Sequence, residues 1–259
     1  MSSSGEDRLL VERRGPVLVL TLNRPDVRNA IDKPLADAIA AALDEFDADD
    51  GLSVGIIAGA GKGFCAGMDL KAFGETGERP WSGDRGFAGI VRRSSDKPLI
   101  AAVEGFAVAG GFEIALACDL IVAARGTKLG VPEVKRGLVA AGGALRRLPR
   151  ILPAAFATEL ALTGELTTAD RLHELGAISR LTEPGGALDG ALELAAAIAA
   201  NGPLALRATK TILRDQWSWD DADFWARQEE RVGPVMASDD AREGARAFTE
   251  KRPPEWQGR

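Results

Sequence analysis

A chain of 259 residues, 46% apolar and 27% charged, has the make-up of a water-soluble globular protein and is long enough for one large core or a core with a small appendage. Its net charge of −6 and isoelectric point of about 5.1 argue against nucleic acid as a partner. No apolar run approaches the roughly 20 residues that cross a bilayer, the opening MSSSGEDR lacks a leader's apolar core, and Cys65 and Cys118 make no disulfide framework, so a cytoplasmic protein with no membrane partner is expected.

Residues 8–23, RLLVERRGPVLVLTLN, predict a β-hairpin turning at Gly15-Pro16. After the loop RPDVRNA, Asp32 as N-cap and Pro34 in the first turn open a helix whose Leu35, Ala38, Ile39, Ala42, Leu43 and Phe46 form one apolar face. Asp49-Asp50-Gly51 ends it. Val54 to Ala58 reads as a buried strand running into GAGKGFCAGMDL, with a short helix start around Gly67 to Lys71. Gly74 to Arg85 reads as a polar loop with an isolated Trp81, and Phe87 to Ser94 as a short helix.

The stretch from Pro98 to Asp119 is the centre of the chain. Its apolar run reads as one buried strand that stops at Gly110-Gly111 and turns straight into a helix carrying Glu113 among Ile114, Leu116, Ala117 and Cys118. A strand follows in LIVAAR, then Gly130 before Pro132-Glu133, a helix introduced by Gly142-Gly143, helices over 153–163 and 167–175, and a strand near Ile178 to Leu181. Gly185 to Ala200 predicts a helix closed by Asn201-Gly202, and Pro203 begins another to about Gln216. Residues 217–259 are helical, amphipathic and charged, with four of the five tryptophans. The pattern predicts an α/β core over 1–200 holding the site, and a helical region over 201–259 that packs on the core or on another subunit.

One histidine, His173, and no tyrosine leave acid–base chemistry to carboxylates; His173, within TTADRLHELGAIS, reads as an ordinary helical or surface residue. Neither glycine cluster fits a phosphate loop or a dinucleotide fingerprint. The clusters either allow close strand-to-helix turns or bring two backbone N–H donors together as an oxyanion hole. Glu113 stands among apolar neighbours, a costly place for a carboxylate that is neither paired nor functional. Glu133 is a second candidate, with Lys135 and Arg136 offering a salt-bridge alternative. Two carboxylates over one pocket would supply an acid and a base.

With NRPDVRNAID, GAGKGFCAGMDL, AAVEGFAVAGGFEIALACDLIVAA, LGVPEVKRGLVAAGGALRRLPRIL, LALTGELTTADRLHELGAISRL and AFTEKRPPEWQGR in this order, the chain resembles the crotonase, or enoyl-CoA hydratase/isomerase, superfamily over almost its whole length. The resemblance implies a spiral of ββα units with a C-terminal helical trimerisation region, and a homotrimer or dimer of trimers. It implies an acyl-CoA substrate in fatty-acid or lipid metabolism, with no metal and no cofactor beyond the coenzyme A of the substrate. The family's oxyanion hole maps onto the N–H groups of Met68 and Gly110. Its two glutamates map onto Glu113, which activates water at Cβ, and Glu133, which delivers the proton to Cα. Substrate and CoA contacts map onto Arg28, Ala66, Asp69, Lys71, Phe248 and Lys251, with Ala141 beside the water.

Three departures from the family pattern stand out. Ala109 replaces a frequent glycine, a change expected to be tolerated; Phe112 replaces a small residue and is expected to narrow the acyl site; LVAAGG lacks a usual Pro-Gly. Acyl selection is expected from Gly74 to Arg85, Phe87 and Phe112. FEIALACD, LRRLPRILP and EKRPPEWQGR look like carnitinyl-CoA dehydratases, which makes that activity one alternative. Enoyl-CoA isomerisation, needing only Glu133, is another. A non-catalytic acyl-CoA- or RNA-binding relative is a third, disfavoured by both glutamates and the acidic charge. A Ser-His-Asp protease on a related spiral would need His173 in a pocket.

Overall fold

The structure is a computed structural model that describes residues 8–259; residues 1–7, on which the absence of a leader was read, lie outside the described residues. The strands are β1 (Leu9–Arg14), β2 (Val17–Leu22), β3 (Val54–Gly59), β4 (Leu99–Val103), β5 (Phe106–Val108), β6 (Leu120–Ala124), β7 (Lys128–Gly130), β8 (Thr167–Thr168) and β9 (Arg180–Thr182). The helices are α1 (Lys33–Ala48), α2 (Leu70–Thr76), α3 (Gly110–Ala117), α4 (Ala144–Ile151), α5 (Ala154–Thr163), α6 (Ala169–Glu174), α7 (Ala187–Ala199), α8 (Pro203–Asp215), α9 (Asp221–Met236) and α10 (Asp239–Glu250).

Two sheets organise the core. The larger runs β1-β2-β3-β4-β6-β9, parallel except for the β1–β2 hairpin; the smaller runs β5-β7-β8. Strands such as VLVLTL and LIAAV are apolar on both faces because both faces are covered. Leu18, Leu20, Leu22 and Ile57 point to the side of Leu35, Ile39, Leu43 and Phe46 of α1. Val17, Val19, Val54 and Ile56 meet Ala187, Ala191 and Ala195 on the other side. That alanine stripe, repeating every four residues on one face of α7, lets the helix lie close on the sheet.

The chain visits the two sheets alternately. It passes from β3 to an isolated bridge at Cys65 beside Ala107, then α2; from β4 to β5, then α3; and from β6 to β7, then a 3-10 turn over Pro132–Arg136 and on to α4. This is the expected spiral of ββα units. The ends of the second-layer segments therefore stand side by side, which brings Met68, Gly110 and Glu133 to one end of the stack.

Several local expectations need correction. The run before Gly110 is two strands in two different sheets, β4 and β5, broken at Glu104-Gly105. Gly105 has a left-handed φ of +58°, and the Lys62 carbonyl fills the place of its absent Cβ, so only glycine fits the step between sheets. Phe87 to Ser94 is a set of turns, because Ala88 and Gly89 take φ of +54° and +67°, and Gly89 sits against the backbone of α1. Helix α2 runs through Gly74 to Thr76, so the polar loop starts at Gly77. Gly202 has φ −58° and opens α8 instead of capping α7; the Asn201 side-chain amide donates to the carbonyls of Ala197 and Ile198, at 2.9 and 3.1 Å.

The C-terminal helices are fastened to the core through α8, where Lys210 pairs with Asp119 at 2.8 Å and donates to the Lys97 carbonyl. The tail folds back. Trp256 donates to the Ala200 carbonyl at 2.8 Å, and buried Glu243 binds Arg252, Arg246 and the Glu255 N–H, which hold its carboxyl far below the usual range. Leu213, Trp217, Trp225, Met236 and Phe248 remain exposed on this region.

Candidate active site

The first element is the turn after Cys65. In the parallel bridge between Ile31 and Met68, Ile31 donates to the Gly67 carbonyl at 2.8 Å and accepts from the Asp69 N–H at 2.9 Å. Both partners of Ile31 are the neighbours of Met68, so the N–H of Met68 faces away from the bridge and has no backbone acceptor. Gly67, at φ +92°, lies against the next turn of the spiral: a Cβ there would stand 3.0 Å from the Gly110 nitrogen.

Gly110 is the first residue of α3, and its N–H is one of the free donors of a helix start. The preceding Ala109 is held by its own N–H on the Gly130 carbonyl at 2.9 Å. Ala109 takes φ +52° and ψ −131°, a region normally left to glycine, so the alanine sits there at a local strain of about 1–3 kcal/mol.

Glu113 lies one turn into α3 and is 4% exposed. One oxygen accepts the Ala144 N–H at 3.1 Å, and the backbone of Gly142 and Gly143 lies close beside the carboxylate. Burial pushes its pKa up, while these backbone groups and the Arg147 charge pull the other way. Gly142 must be glycine here: a Cβ would stand 2.5 Å from the second carboxylate oxygen.

Glu133 sits on the 3-10 turn with one oxygen buried and without a hydrogen-bond partner. Burial, and behind it the charge of Glu113, pushes its pKa up to about 7. The salt-bridge alternative fails, since Lys135 pairs with Glu165 at 2.5 Å and Glu133 forms no ion pair among the described residues. A carboxyl raised from 4.5 to about 7 stabilises the fold fully below pH 4.5 and loses that contribution as pH rises through 7. Glu133→Gln should therefore be more stable than the native protein at pH 8 by about 1–2 kcal/mol, and equal to it at pH 4. Urea unfolding at the two pH values measures this; equal stability at both would contradict the burial of Glu133.

Glu113 and Glu133 face one cavity of about 520 Å³, walled by Met68, Gly110, Trp81 and Phe87. Arg28, Ala66 and Ala141 also line it. Asp69, Lys71, Phe248 and Lys251 do not. Asp69 caps α2 through the Ala72 N–H and pairs with Arg24 at 2.9 Å, Lys71 points to solvent, and Phe248 and Lys251 lie on and just beyond α10. Phe112 is wholly buried in the core and lines no part of the cavity, which corrects its expected role in acyl selection. Successive helical residues point about 100° apart, so a neighbour of Glu113 cannot share its direction. Trp81 is not isolated; it meets Phe87 edge-on at 5.8 Å.

Residues not named as site candidates also line the cavity: Arg79, which falls in the stretch expected to select the acyl group, Arg136, read only as a salt-bridge partner, and the exposed Leu138 and Val139. The only sequence signal of Leu138 and Val139 was proximity to Glu133. A larger cavity of about 690 Å³ lies between α3 and α8, but its one carboxylate, Asp119, is already paired with Lys210. His173 is exposed on α6 with its Nδ1 on the Ile178 carbonyl, far from triad geometry.

The sequence profile described as enoyl-CoA hydratase/isomerase matches residues 12–259. Enoyl-CoA hydratase EchA19 of Mycobacterium tuberculosis is 43% identical over 262 residues, covering 99% of this chain and 98% of that protein. A carnitinyl-CoA dehydratase of Salmonella arizonae is 42% identical, covering 97% of this chain and 99% of that protein. The crystal structure of an enoyl-CoA hydratase from Mycobacterium tuberculosis H37Rv matches with a TM-score of 0.96 at 52% identity, covering 98% of this chain and all of the other.

Proposed function

The chain belongs to the enoyl-CoA hydratase/isomerase family, and we propose that it adds water across, or removes it from, the Cα=Cβ bond of an acyl-CoA thioester with Glu113 and Glu133 as its working carboxylates. One observation carries this reading. Two carboxylates in different protonation environments face a cavity in whose wall two backbone N–H groups have no acceptor.

In hydration, the Met68 and Gly110 N–H groups hold the thioester oxygen, where negative charge grows as the enolate forms. A water held by the two carboxylates attacks Cβ and passes a proton to Glu113. The π electrons move towards the carbonyl, and Glu133 gives its proton to Cα. One H–O bond and the π bond are lost, and C–O and C–H bonds are gained. Glu113 ends protonated and Glu133 ionised, the reverse of the starting pair.

Dehydration is the same path run backwards, so a substrate such as a carnitinyl thioester needs no further catalytic group; the relative from Salmonella supports that alternative. Double-bond isomerisation would use Glu133 alone and would survive Glu113→Gln. The test is loss of the conjugated thioester absorbance with crotonyl-CoA and longer enoyl-CoAs. Turnover on at least one chain length is expected, and none on any of them would sink the hydratase reading.

The exposed Leu213, Trp217, Trp225, Met236 and Phe248 support assembly through the C-terminal region, as a homotrimer or a dimer of trimers. Arg28 at the cavity rim, with Lys71, Phe248 and Lys251, is proposed for the CoA portion. No helix among the described residues is long and apolar enough to cross a membrane, which suits action on a dissolved thioester in the cytoplasm. No cofactor enters the proposed chemistry.

A further inference from the structure

We propose that Arg147 is a positioning residue for Glu113, clamping the turn that leads into the Ala144 N–H on that carboxylate and tying it to the segment that carries Phe87. One arm of its guanidinium donates to the Gly142 carbonyl at 3.1 Å. The other donates to the Val91 carbonyl at 2.6 Å. The first bond pins the carbonyl of Gly142, two residues before the Ala144 N–H that bonds Glu113. The second reaches the 87–93 turns, where the Val91 N–H bonds back to the Phe87 carbonyl and the Phe87 ring packs on Gly110. Through one side chain, the cradle of the carboxylate and the support of the hole donor share a fixed distance. Ala144, whose N–H bonds Glu113, is the first residue of α4, and Arg147 stands one turn further along the same helix.

The charge is available for this task. Arg147 forms no ion pair among the described residues, whereas nearby Arg93 is taken by Asp44 and Asp47, and Lys210 by Asp119. The charged and titratable groups facing Glu113 are Glu133 across the cavity and Arg147 behind it. Those facing Arg147 are Glu113, Arg146, Arg150 and Cys118; the Cys118 thiol is buried and its pKa raised by burial, so it stays neutral. Arg147 is thus the cation that favours the ionised form of Glu113, and it does so without touching substrate.

This inference rests on the assignment of Glu113 to catalysis, and the experiment separates the two. Arg147→Met keeps the apolar stem and removes both arms and the charge. It should lower kcat about thirtyfold with KM within about twofold, and raise the acid limb of the pH–rate profile by about one pH unit, because Glu113 loses its donor's alignment and its cation. Arg147→Lys should return the acid limb and lose only about three- to tenfold in kcat, since one ammonium cannot span both carbonyls. In a Glu113→Gln background, Arg147→Met should change the remaining rate by less than about threefold. In Arg147→Met, a loss with an unmoved acid limb, a full additive loss in the double variant, or native kcat would each overturn the inference. If Glu113→Gln is itself fully active, the catalytic reading and this inference fall together. Should the Met variant not fold, the Lys variant decides: native kcat overturns the inference, and a partial loss with an unmoved limb supports it.

Discussion

Glu133→Gln should lower hydration turnover about a thousandfold while leaving KM within about threefold, because it removes the proposed proton donor to Cα without altering the shape of the cavity. The size of the loss follows from what positioned acids contribute to proton transfer, and its specificity from geometry. One Glu133 oxygen is buried and unpartnered, so no structural bond is lost with the acid. The native enzyme should show a bell-shaped pH dependence. In the proposed mechanism hydration starts from ionised Glu113 and protonated Glu133 and ends with the reverse, so the productive pair always holds one proton. Above about pH 7 Glu133 loses the proton it must give, which sets the alkaline limb. At lower pH Glu113 gains a proton and can no longer take one from water, which sets the acid limb. Because the overall reaction takes up no net proton, kcat/KM should show the same two limbs in hydration and dehydration. The residual activity of Glu133→Gln should lack the alkaline limb. An unchanged limb in that variant would assign the titration to another group.

The parts of this site legible in the sequence are those whose signal is local. Asp32 caps α1 through the Leu35 N–H, Pro34 stands in its first turn, and the apolar face from Leu35 to Phe46 is buried as its spacing required. Gly110-Gly111 open a helix, and Glu113 is a buried carboxylate among apolar side chains. The order of glycine-rich motifs carried the spiral of ββα units. What could not be read depends on distant backbone. The division of residues 99–108 between two sheets turns on the Lys62 carbonyl occupying the space beside Gly105. Phe112 looked like a gate because it adjoins Glu113 in sequence, yet the helix turns it into the core. Arg147 stands in a short basic pair with Arg146 that carries no functional signal, because its partners, Gly142 and Val91, are backbone carbonyls without residue identity. Gly142 shows the same limit: its lack of a side chain matters only because Glu113 fills the gap from 29 positions away.

Gly110→Ala should lower kcat by about 10²–10³ with little change in thioester KM, since it displaces the proposed oxyanion-hole donor, whose bond would strengthen as the enolate forms. A Cβ at Gly110 would lie 2.6 Å from two carbons of the Phe87 ring. That ring is buried and set edge-on against Trp81, which leaves it only the cavity side for retreat. The share of the clash taken by the start of α3 moves the Gly110 N–H with it. Overpacking of this kind costs about 1–3 kcal/mol of stability, so a fall in Tm is expected beside the lost activity. Phe87→Leu distinguishes a displaced donor from a merely damaged fold, because it removes the ring atoms that the new methyl group would strike. In that background Gly110→Ala should cost less than about tenfold in kcat, measured against the Phe87→Leu protein. If the second substitution restores Tm but not turnover, the Gly110 N–H is not what polarises the thioester, and the hole would have to be sought elsewhere along the turn that includes Met68.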